Sequence, residues 1–380
     1  MRVVVAGLYA SGPGYPNGAV TVDLLRNELG IAVVECGEAM PSDRHLWLIT
    51  RMRPAQRIAA AWSILCRNLV SLFRVLRSAD RRWDIVYVRY PAMPFMLLMS
   101  LLPSRFRPRC YVDSFISIWD SMFNDRTRST RGVGSRLLHW LEARSLKSAT
   151  KVLVDTSANA EFIRNEFRLP KENVVTFPLG VDERGWKYQI PTRAPDGKFI
   201  VTFVGTFVPL HGFGVISSAV DQFGSDDRMR FVFVGDGQDA AVLDALIQRR
   251  PDLDIVWHRG WYSPDDIATF VSQADVCLGV FGGRGKPARV LPYKLYLYYA
   301  QGKPVITQAA LSTPDTSVVP PGIFIEDDSP TELAAAIRRL SVNAELRDEL
   351  SVAGRDYYNR FLSNSVLTAA WRRLLEERAH

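Results

Sequence analysis

Gln189-Ile-Pro-Thr-Arg-Ala-Pro-Asp-Gly197 runs through Lys198 into Phe199-Ile-Val-Thr-Phe-Val204, which ends at Gly205-Thr206. The first nine residues hold two prolines, a glycine and polar side chains, the composition of a linker. The next six are all β-branched or aromatic and read as a buried strand. Beyond them helix-like and strand-like runs alternate. Strands are predicted at Phe199–Val204, Arg230–Val234, Asp254–His258, Val276–Val280, Pro304–Thr307 and Gly322–Ile325. Helices are predicted at Val215–Phe223, Asp239–Arg249, Pro264–Ala274, Leu291–Ala300, Pro330–Leu340 and Ala344–Tyr358.

The same rhythm precedes the linker. Strands are predicted at Arg2–Ala6, Ile31–Glu35, Asp84–Val88, Arg109–Asp113, Lys151–Val154 and Val174–Phe177. Between them lie helical patterns at Val20–Leu29, Pro54–Leu76, Leu137–Ser148 and Ala158–Phe167. Alternation of this kind implies a parallel sheet with helices on both faces. The predicted fold is therefore α/β, with two doubly wound Rossmann-like domains facing a cleft. The expected division is 1–188, a linker at 189–198, a second domain over 199–360 and a terminal segment over 361–380. Ligands of such sheets bind beyond the carboxyl ends of the strands.

Composition narrows the class. The 380 residues are 47% hydrophobic and 23% charged, which is ordinary globular usage. Cys36, Cys66, Cys110 and Cys277 form no C-x-x-C pair, and the five histidines form no H-E-x-x-H. A cysteine or histidine metal site is not expected. Met1-Arg-Val-Val-Val-Ala-Gly7 breaks before a signal h-region forms. The uncharged run Tyr90–Ser104 spans 15 residues and is too short to cross a bilayer. The chain reads as soluble and cytoplasmic.

Charge is uneven. The net charge is +7, yet residues 1–190 carry 27 Lys+Arg against 17 Asp+Glu, and residues 191–380 carry 20 against 23. Residues 44–109 hold 13 arginines and two acids, Asp80 and Asp84, a balance of +11. Apolar residues of Pro54–Leu76 form one stripe bracketed by Arg57, Arg67 and Arg74. With Trp47, Trp62, Phe73 and the Tyr90–Ser104 run, this is the pattern of a helix lying in a membrane interface. An anionic membrane surface is the expected partner. Nucleic acid is not expected, because nothing resembles a base-reading module. The alternative is that the stripe packs on the domain's own sheet and the arginines are merely solvated.

Five loops and one strand end carry candidate chemistry. Gly7-Leu-Tyr-Ala-Ser-Gly-Pro-Gly-Tyr-Pro-Asn-Gly18 follows the first strand, and around its Gly14, Asn17 and Gly18 backbone N–H groups can approach an anion at the next helix's start. Glu35 stands 21 residues after Gly14, so a dinucleotide reading is open. Gly205 and Thr206 end a strand where backbone and hydroxyl donors can meet a phosphate. Gly235, in Val234-Gly-Asp-Gly237, either lines the same pocket or makes a tight turn. Lys286, Arg289 and Lys294 cluster in Gly283-Arg-Gly-Lys-Pro-Ala-Arg-Val-Leu-Pro-Tyr-Lys294. A cation in a first helical turn opposes the helix dipole and makes sense if an anion binds there. Three cations can stabilise a diphosphate leaving group. Gly260-Trp261-Tyr262 follows a strand and can flank a base. Asp113 ends a strand where cleft residues are expected, whereas Asp120 and Asp125 read as caps or surface ion pairs. His211 reads as a loop residue rather than a metal ligand.

With these pieces assembled, the chain resembles the GT-B glycosyltransferases of the large retaining family 4, the group 1 glycosyl transferases of bacterial surface-glycan biosynthesis. Trp140–Val154 resembles the family's Glu-bearing helix and following strand. Val175–Asp182 resembles its P-x-G-V-D turn. Phe203–Gly212 resembles its phosphate loop, and Arg289–Ile306 its R-V-x-P-N-K signature. The resemblance implies a nucleotide-diphosphate sugar held mainly by the second domain and a glycan or lipid-linked acceptor held mainly by the first. It implies retention of configuration, no essential metal and no other cofactor. It also implies that Ser363–Glu377 crosses back to pack on the first domain. The signature's Glu falls on Leu297, its Asn on Tyr293, and the family's His-Asp pair on Val112-Asp113. Lys286, Arg289 and Lys294 are thus expected to offset diphosphate charge, with Gly205, Thr206, Gly235, Trp261 and Tyr262 around the donor. Asp113, Arg289 and Lys294 are the expected catalytic residues. The alternatives are a catalytically weak binding protein on this fold, motivated by Leu297, and a nicotinamide-dependent oxidoreductase, motivated by Gly14 and Glu35.

Overall fold

The computed structural model describes residues 1–12, 15–40, 53–126, 132–186, 196–315, 317–326 and 328–377, without the side chains of 124–126. The chain forms two compact units. The first comprises Met1–Asp155, Asn159–Gly180 and Leu367–His380; the second comprises Thr156–Ala158 and Val181–Val366. The change of unit falls at Gly180–Val181. Most of the 189–198 segment lies outside the described residues.

The first unit holds β1 (Arg2–Ala6), α1 (Asn17–Asn27), β2 (Ala32–Glu35), α2 (Pro54–Ser78), β3 (Ile85–Val88), α3 (Met93–Ser100), β4 (Arg109–Asp113), α4 (Val133–Lys147), β5 (Lys151–Val154), α5 (Ser157–Phe167) and β6 (Val174–Thr176). Its six-stranded sheet runs β2-β1-β3-β4-β5-β6, all parallel. A parallel sheet is covered on both faces, and β1 shows why its interior, Val3-Val4-Val5-Ala6, is apolar without alternation. Val4 and Ala6 enter one core with Val86, Val88 and Val112. Val3 and Val5 enter the other with Tyr87, Leu25 and Trp371. Trp371 is wholly buried, edge-on to Tyr87 at 5.4 Å and to Phe177 at 5.1 Å.

One element of this unit differs from expectation and one does not. The Tyr90–Ser104 run is not surface: α3 places Phe95, Met96 and Met99 in the core, fully buried. Helix α2 does expose its apolar stripe. It turns Ala60, Asn68, Ser71 and Val75 inward, while Ile58, Trp62, Leu69, Val70 and Phe73 face out, Trp62 at 67% exposure. The polar inward face has a physical reason. Ser71 Oγ accepts from the Gly7 amide at 2.8 Å and Asn68 Oδ1 from the Leu8 amide at 3.1 Å. These satisfy amides that leave β1 without a strand partner.

The second unit adds β7 (Phe199–Val204), α6 (Phe213–Val220), β8 (Met229–Val234), α7 (Ala240–Arg249), β9 (Ile255–His258), α8 (Pro264–Ser272), β10 (Val276–Leu278), α9 (Lys286–Arg289), α10 (Tyr293–Ala300), β11 (Val305–Gln308), β12 (Ile323–Ile325), α11 (Pro330–Val342) and α12 (Ala344–Tyr357). The strand order is β9-β8-β7-β10-β11-β12, again all parallel. Its switch point lies between β7 and β10, where a crevice opens beyond the strand ends. Helix α13 (Asn364–Glu376) then brings Leu367, Trp371, Leu374 and Leu375 into the first unit's core.

Candidate functional site

At the second unit's switch point, β7 runs into Gly205 (φ +147°). Its amide donates to Val234 O at 3.0 Å, so what Gly205 offers a ligand is space rather than an N–H. A Cβ there would stand 3.0 Å from Lys294 Nζ. Lys294 is the second residue of α10 and is 7% exposed. Its Nζ lies 3.7 Å from the Phe203 ring centroid and has no hydrogen-bond partner among the described residues. Burial holds its pKa well below the usual lysine value. A desolvated, unpaired ammonium is costly, and an anion at that point relieves the cost.

His211 closes the same corner. Its Nδ1 hydrogen-bonds the Thr206 carbonyl, so Nδ1 carries the proton and Nε2 is the acceptor. Burial, and secondarily the Lys294 charge, holds its pKa well below the ordinary histidine value. Sequence reasoning set this residue aside because it looked for a metal partner rather than a neutral imidazole. Gly212 (φ +65°) begins α6, which no side chain caps, and a Cβ there would collide with Phe281 O. The Phe281–Gly283 turn is held in turn by Gln308. Its Oε1 accepts from the Gly283 amide at 2.9 Å and its Nε2 donates to Gly283 O at 3.0 Å.

The remaining donor candidates are placed differently. Lys286 and Arg289 are half-buried on α9, where Thr156 Oγ1 donates to Arg289 O. Gly235 has both backbone groups engaged: its amide donates to His258 O at 3.0 Å and its carbonyl accepts from Trp257 Nε1 at 2.9 Å. A Cβ at Gly235 would collide with Gly205 O, so glycine here lets two loops touch. Trp261 is exposed beyond edge strand β9, and Tyr262 packs edge-on against Phe270 at 5.3 Å. Two strand spacings, about 10 Å, separate β9 from β7. Leu297 is buried one turn after Lys294. The signature lysine Lys303 is structural: its Nζ donates to Ser272 O and to Ala274 O, capping the end of α8.

In the first unit the switch point lies between β1 and β3. Gly14 falls outside the described residues. Asn17 Oδ1 accepts from the Gly180 amide at 2.7 Å and ties α1 to the end of the unit. Gly18 packs against Arg89, whose Nε a Cβ would strike. Asp113 ends β4, 4% exposed. Tyr87 Oη donates to its Oδ2 at 2.6 Å, and Oδ1 has no partner among the described residues. Burial pushes the Asp113 carboxyl up to about 7, against the pull of Tyr87 and Arg89. Glu142 on α4 fixes the loop after Asp113. It accepts from the Ile118 amide at 2.9 Å, the Trp119 amide at 2.8 Å and Ser117 Oγ at 3.1 Å. Asp120, expected at the surface, is 2% exposed. The Asp125 side chain lies outside the described residues. Glu35, the acid of the dinucleotide reading, ion-pairs with Arg26 at 2.9 Å. Among the described residues no three His, Cys, Asp or Glu side chains gather to hold a metal.

Two units, each built on a six-stranded parallel sheet with helices on both faces, are the architecture of the GT-B class, and the comparisons agree. Residues 3–180 match the glycosyl transferase 4-like domain and residues 198–343 match the glycosyl transferases group 1 domain. No curated protein sequence matches the chain. Sucrose-phosphate synthase from Thermosynechococcus elongatus is similar in fold, at TM-score 0.72 and 14% identity over 99% of each chain. HepE from Anabaena, solved in complex with UDP, aligns at TM-score 0.66 and 13% identity over 99% of this chain and 100% of its own. WaaG, a glycosyltransferase involved in lipopolysaccharide biosynthesis, aligns at TM-score 0.65 and 14% identity over 99% of each chain. The chain is a GT-B glycosyltransferase of the group 1 type.

Proposed function

We propose that the protein moves a sugar from a nucleoside-diphosphate sugar to a glycan or lipid-linked acceptor with retention of configuration and no essential metal. The observation that carries this reading is Lys294: a buried ammonium with no hydrogen-bond partner among the described residues, at a helix start, beside Gly205, at a sheet's switch point. Lys294 would meet the diphosphate, with Lys286 and Arg289 adding charge as the leaving group departs. Neutral His211 would accept a hydrogen bond from a donor hydroxyl through Nε2. Trp261 and Tyr262, some 10 Å along the sheet edge, would flank the base. Asp113 would face the reacting carbon or the acceptor hydroxyl, with Asn17, Gly18 and Gly14 on the acceptor side. Leu297 leaves the ribose without the family's carboxylate.

The test is transfer of labelled sugar from UDP-, GDP- and ADP-sugars to lipid-linked acceptors, with and without EDTA. Transfer unchanged by EDTA is expected. Activity lost with EDTA and restored by Mg²⁺ overturns the metal-free mechanism. Nucleotide binding without turnover from any donor would favour the second reading, a binding protein, for which Leu297 is the specific observation.

The exposed face of α2 supports docking on an anionic membrane. By length and composition α2 could cross a bilayer, but Asn68 and Ser71 tie its other face to β1's loop, which favours lying in the interface. Of the bracketing arginines, Arg67 is drawn into an ion pair with Glu38, and a further arginine of the helix, Arg77, stands 5.4 Å from the Phe73 ring. Each cation near such a surface contributes about 1 kcal/mol. Co-sedimentation with liposomes is expected only when anionic lipid is present, weakening at high salt. Trp62→Ser with Phe73→Ser should abolish it. Equal recovery in the supernatant under every condition would exclude this docking.

A further inference from the structure

One charged side chain in the first unit is not used by any of this chemistry. Arg89 is the first residue past β3, and it is 7% exposed. Its guanidinium makes no hydrogen bond or ion pair to any described residue, and Nε is buried without a partner. Two surfaces fix its plane. The Tyr9 ring lies on one side, 3.9 Å from Cζ to the centroid. The first turn of α1 also stands against it, where only glycine at position 18 leaves room for Nε and Cζ. The guanidinium is therefore oriented before any ligand arrives.

The surroundings add positive charge rather than removing it. The 11-residue helix α1 starts with no side-chain cap and no acidic residue in its first turn. A cation packed against a helix start opposes the dipole. Asp113, one strand over, is close enough to feel Arg89 but is not ion-paired with it, and it turns Oδ2 to Tyr87 instead. A buried arginine left like this destabilises the free protein unless something anionic completes it. Arginine matches carboxylate and phosphate oxygens through paired N–H donors, which lysine cannot do.

We infer that Arg89 and the start of α1 form a subsite for an oxyanion carried by the acceptor, a phosphate or a carboxylate attached to the sugar that is extended. The inference rests on the proposal that the first unit takes the acceptor, and it narrows that acceptor to an anionic one. Adjacent strands stand about 5 Å apart, so a group bound at Arg89 and a hydroxyl facing Asp113 fit on one substituted sugar. The negative charge belongs on the Arg89 side, because Asp113 would repel it.

The experiment uses the full chain saturated with UDP, so that phosphate binding at Lys294 is occupied. Glucose 1-phosphate, glucuronate and glucose are titrated by calorimetry at fixed ionic strength. The proteins are wild type, Arg89→Gln and Arg89→Lys. One of the two anions should bind wild type at least tenfold more tightly than glucose, and which one it is distinguishes a glycosyl phosphate from an acidic sugar. Arg89→Gln should fall to the glucose level, Arg89→Lys should keep part of the preference, and UDP affinity should be unchanged in both. Should Arg89→Gln fail to fold, the loss in Arg89→Lys decides. Anion affinity unaltered in the variants, equal affinity for glucose, or no anion binding by wild type would each overturn the subsite. Failure of UDP to bind would instead remove the donor reading; the difference between wild type and Arg89→Gln still reads the subsite, since Lys294 is common to all three proteins.

Discussion

Lys294→Met is expected to lower turnover by about a hundredfold or more while making the folded protein more stable. The activity loss follows from removing one preorganised charge from the leaving diphosphate, an effect of about 10²–10³ in rate. The stability gain follows from the environment. Nζ is buried over Phe203 without a hydrogen-bond partner among the described residues. Replacing an uncompensated buried ammonium by an apolar side chain of similar size removes its desolvation cost. The pH dependence has a definite sign. The folded pKa lies well below the unfolded lysine value. The unfolded chain therefore binds the proton more tightly, and wild-type stability rises with pH across the interval between the two values. The variant should lack that rise. Urea midpoints from pH 6 to 10, together with kcat, check both halves. Wild-type turnover in a folded Lys294→Met protein would remove Lys294 from the mechanism.

Asp113→Asn is the second large effect. A positioned carboxylate acting as base or charge stabiliser contributes about 10²–10⁴ in rate, and that is the expected loss. Stability should move the other way. Burial raises the folded carboxyl to about 7, from 3.8 when unfolded. Between these values the folded state holds a proton that the unfolded state releases. Stability attributable to Asp113 is present below the unfolded value and is lost as pH rises through about 7. Three pH units correspond to roughly 4 kcal/mol, an upper figure. Asparagine keeps an acceptor for Tyr87 Oη and carries no charge. The difference between variant and wild type should grow from pH 5 to 8 and then level off, which separates it from Glu142, whose titration is common to both proteins. A difference flat in pH would show that Asp113 is not held neutral by burial.

Much of this architecture is legible in the chain. The strands from Arg2–Ala6 to Ile323–Ile325 fall within a residue or two of their predicted positions, because each is a short apolar run closed by a turn residue. The glycines at 205 and 212 were legible as loop signals, since a positive φ narrows the choice of residue. Asp113 and Lys294 could be singled out because strand ends and helix starts are the places where a charge needs a reason. Arg89 obeys the same rule, at the end of the strand Ile85–Val88, but the sequence does not set it apart from the other arginines of residues 44–109.

Sequence by itself determined the alternation, the two parallel sheets and the family signature, since these depend on neighbours along the chain and on periodicity. Tertiary structure decided what the side chains are for. Only packing could show that Gly205 supplies room and not an N–H, because its amide finds Val234 O across a strand pair. Only packing could show that α3 is core while the equally apolar face of α2 is exposed, since both read as greasy and the choice rests on which helix can satisfy the amides of Gly7 and Leu8. The lysines of one signature part in the same way. Lys303 closes on the carbonyls of Ser272 and Ala274, whereas Lys294, nine residues earlier, meets an aromatic ring and no acceptor among the described residues. A charge is structural or functional according to what lies within about 3 Å of it, and that distance is set by residues far away in the chain.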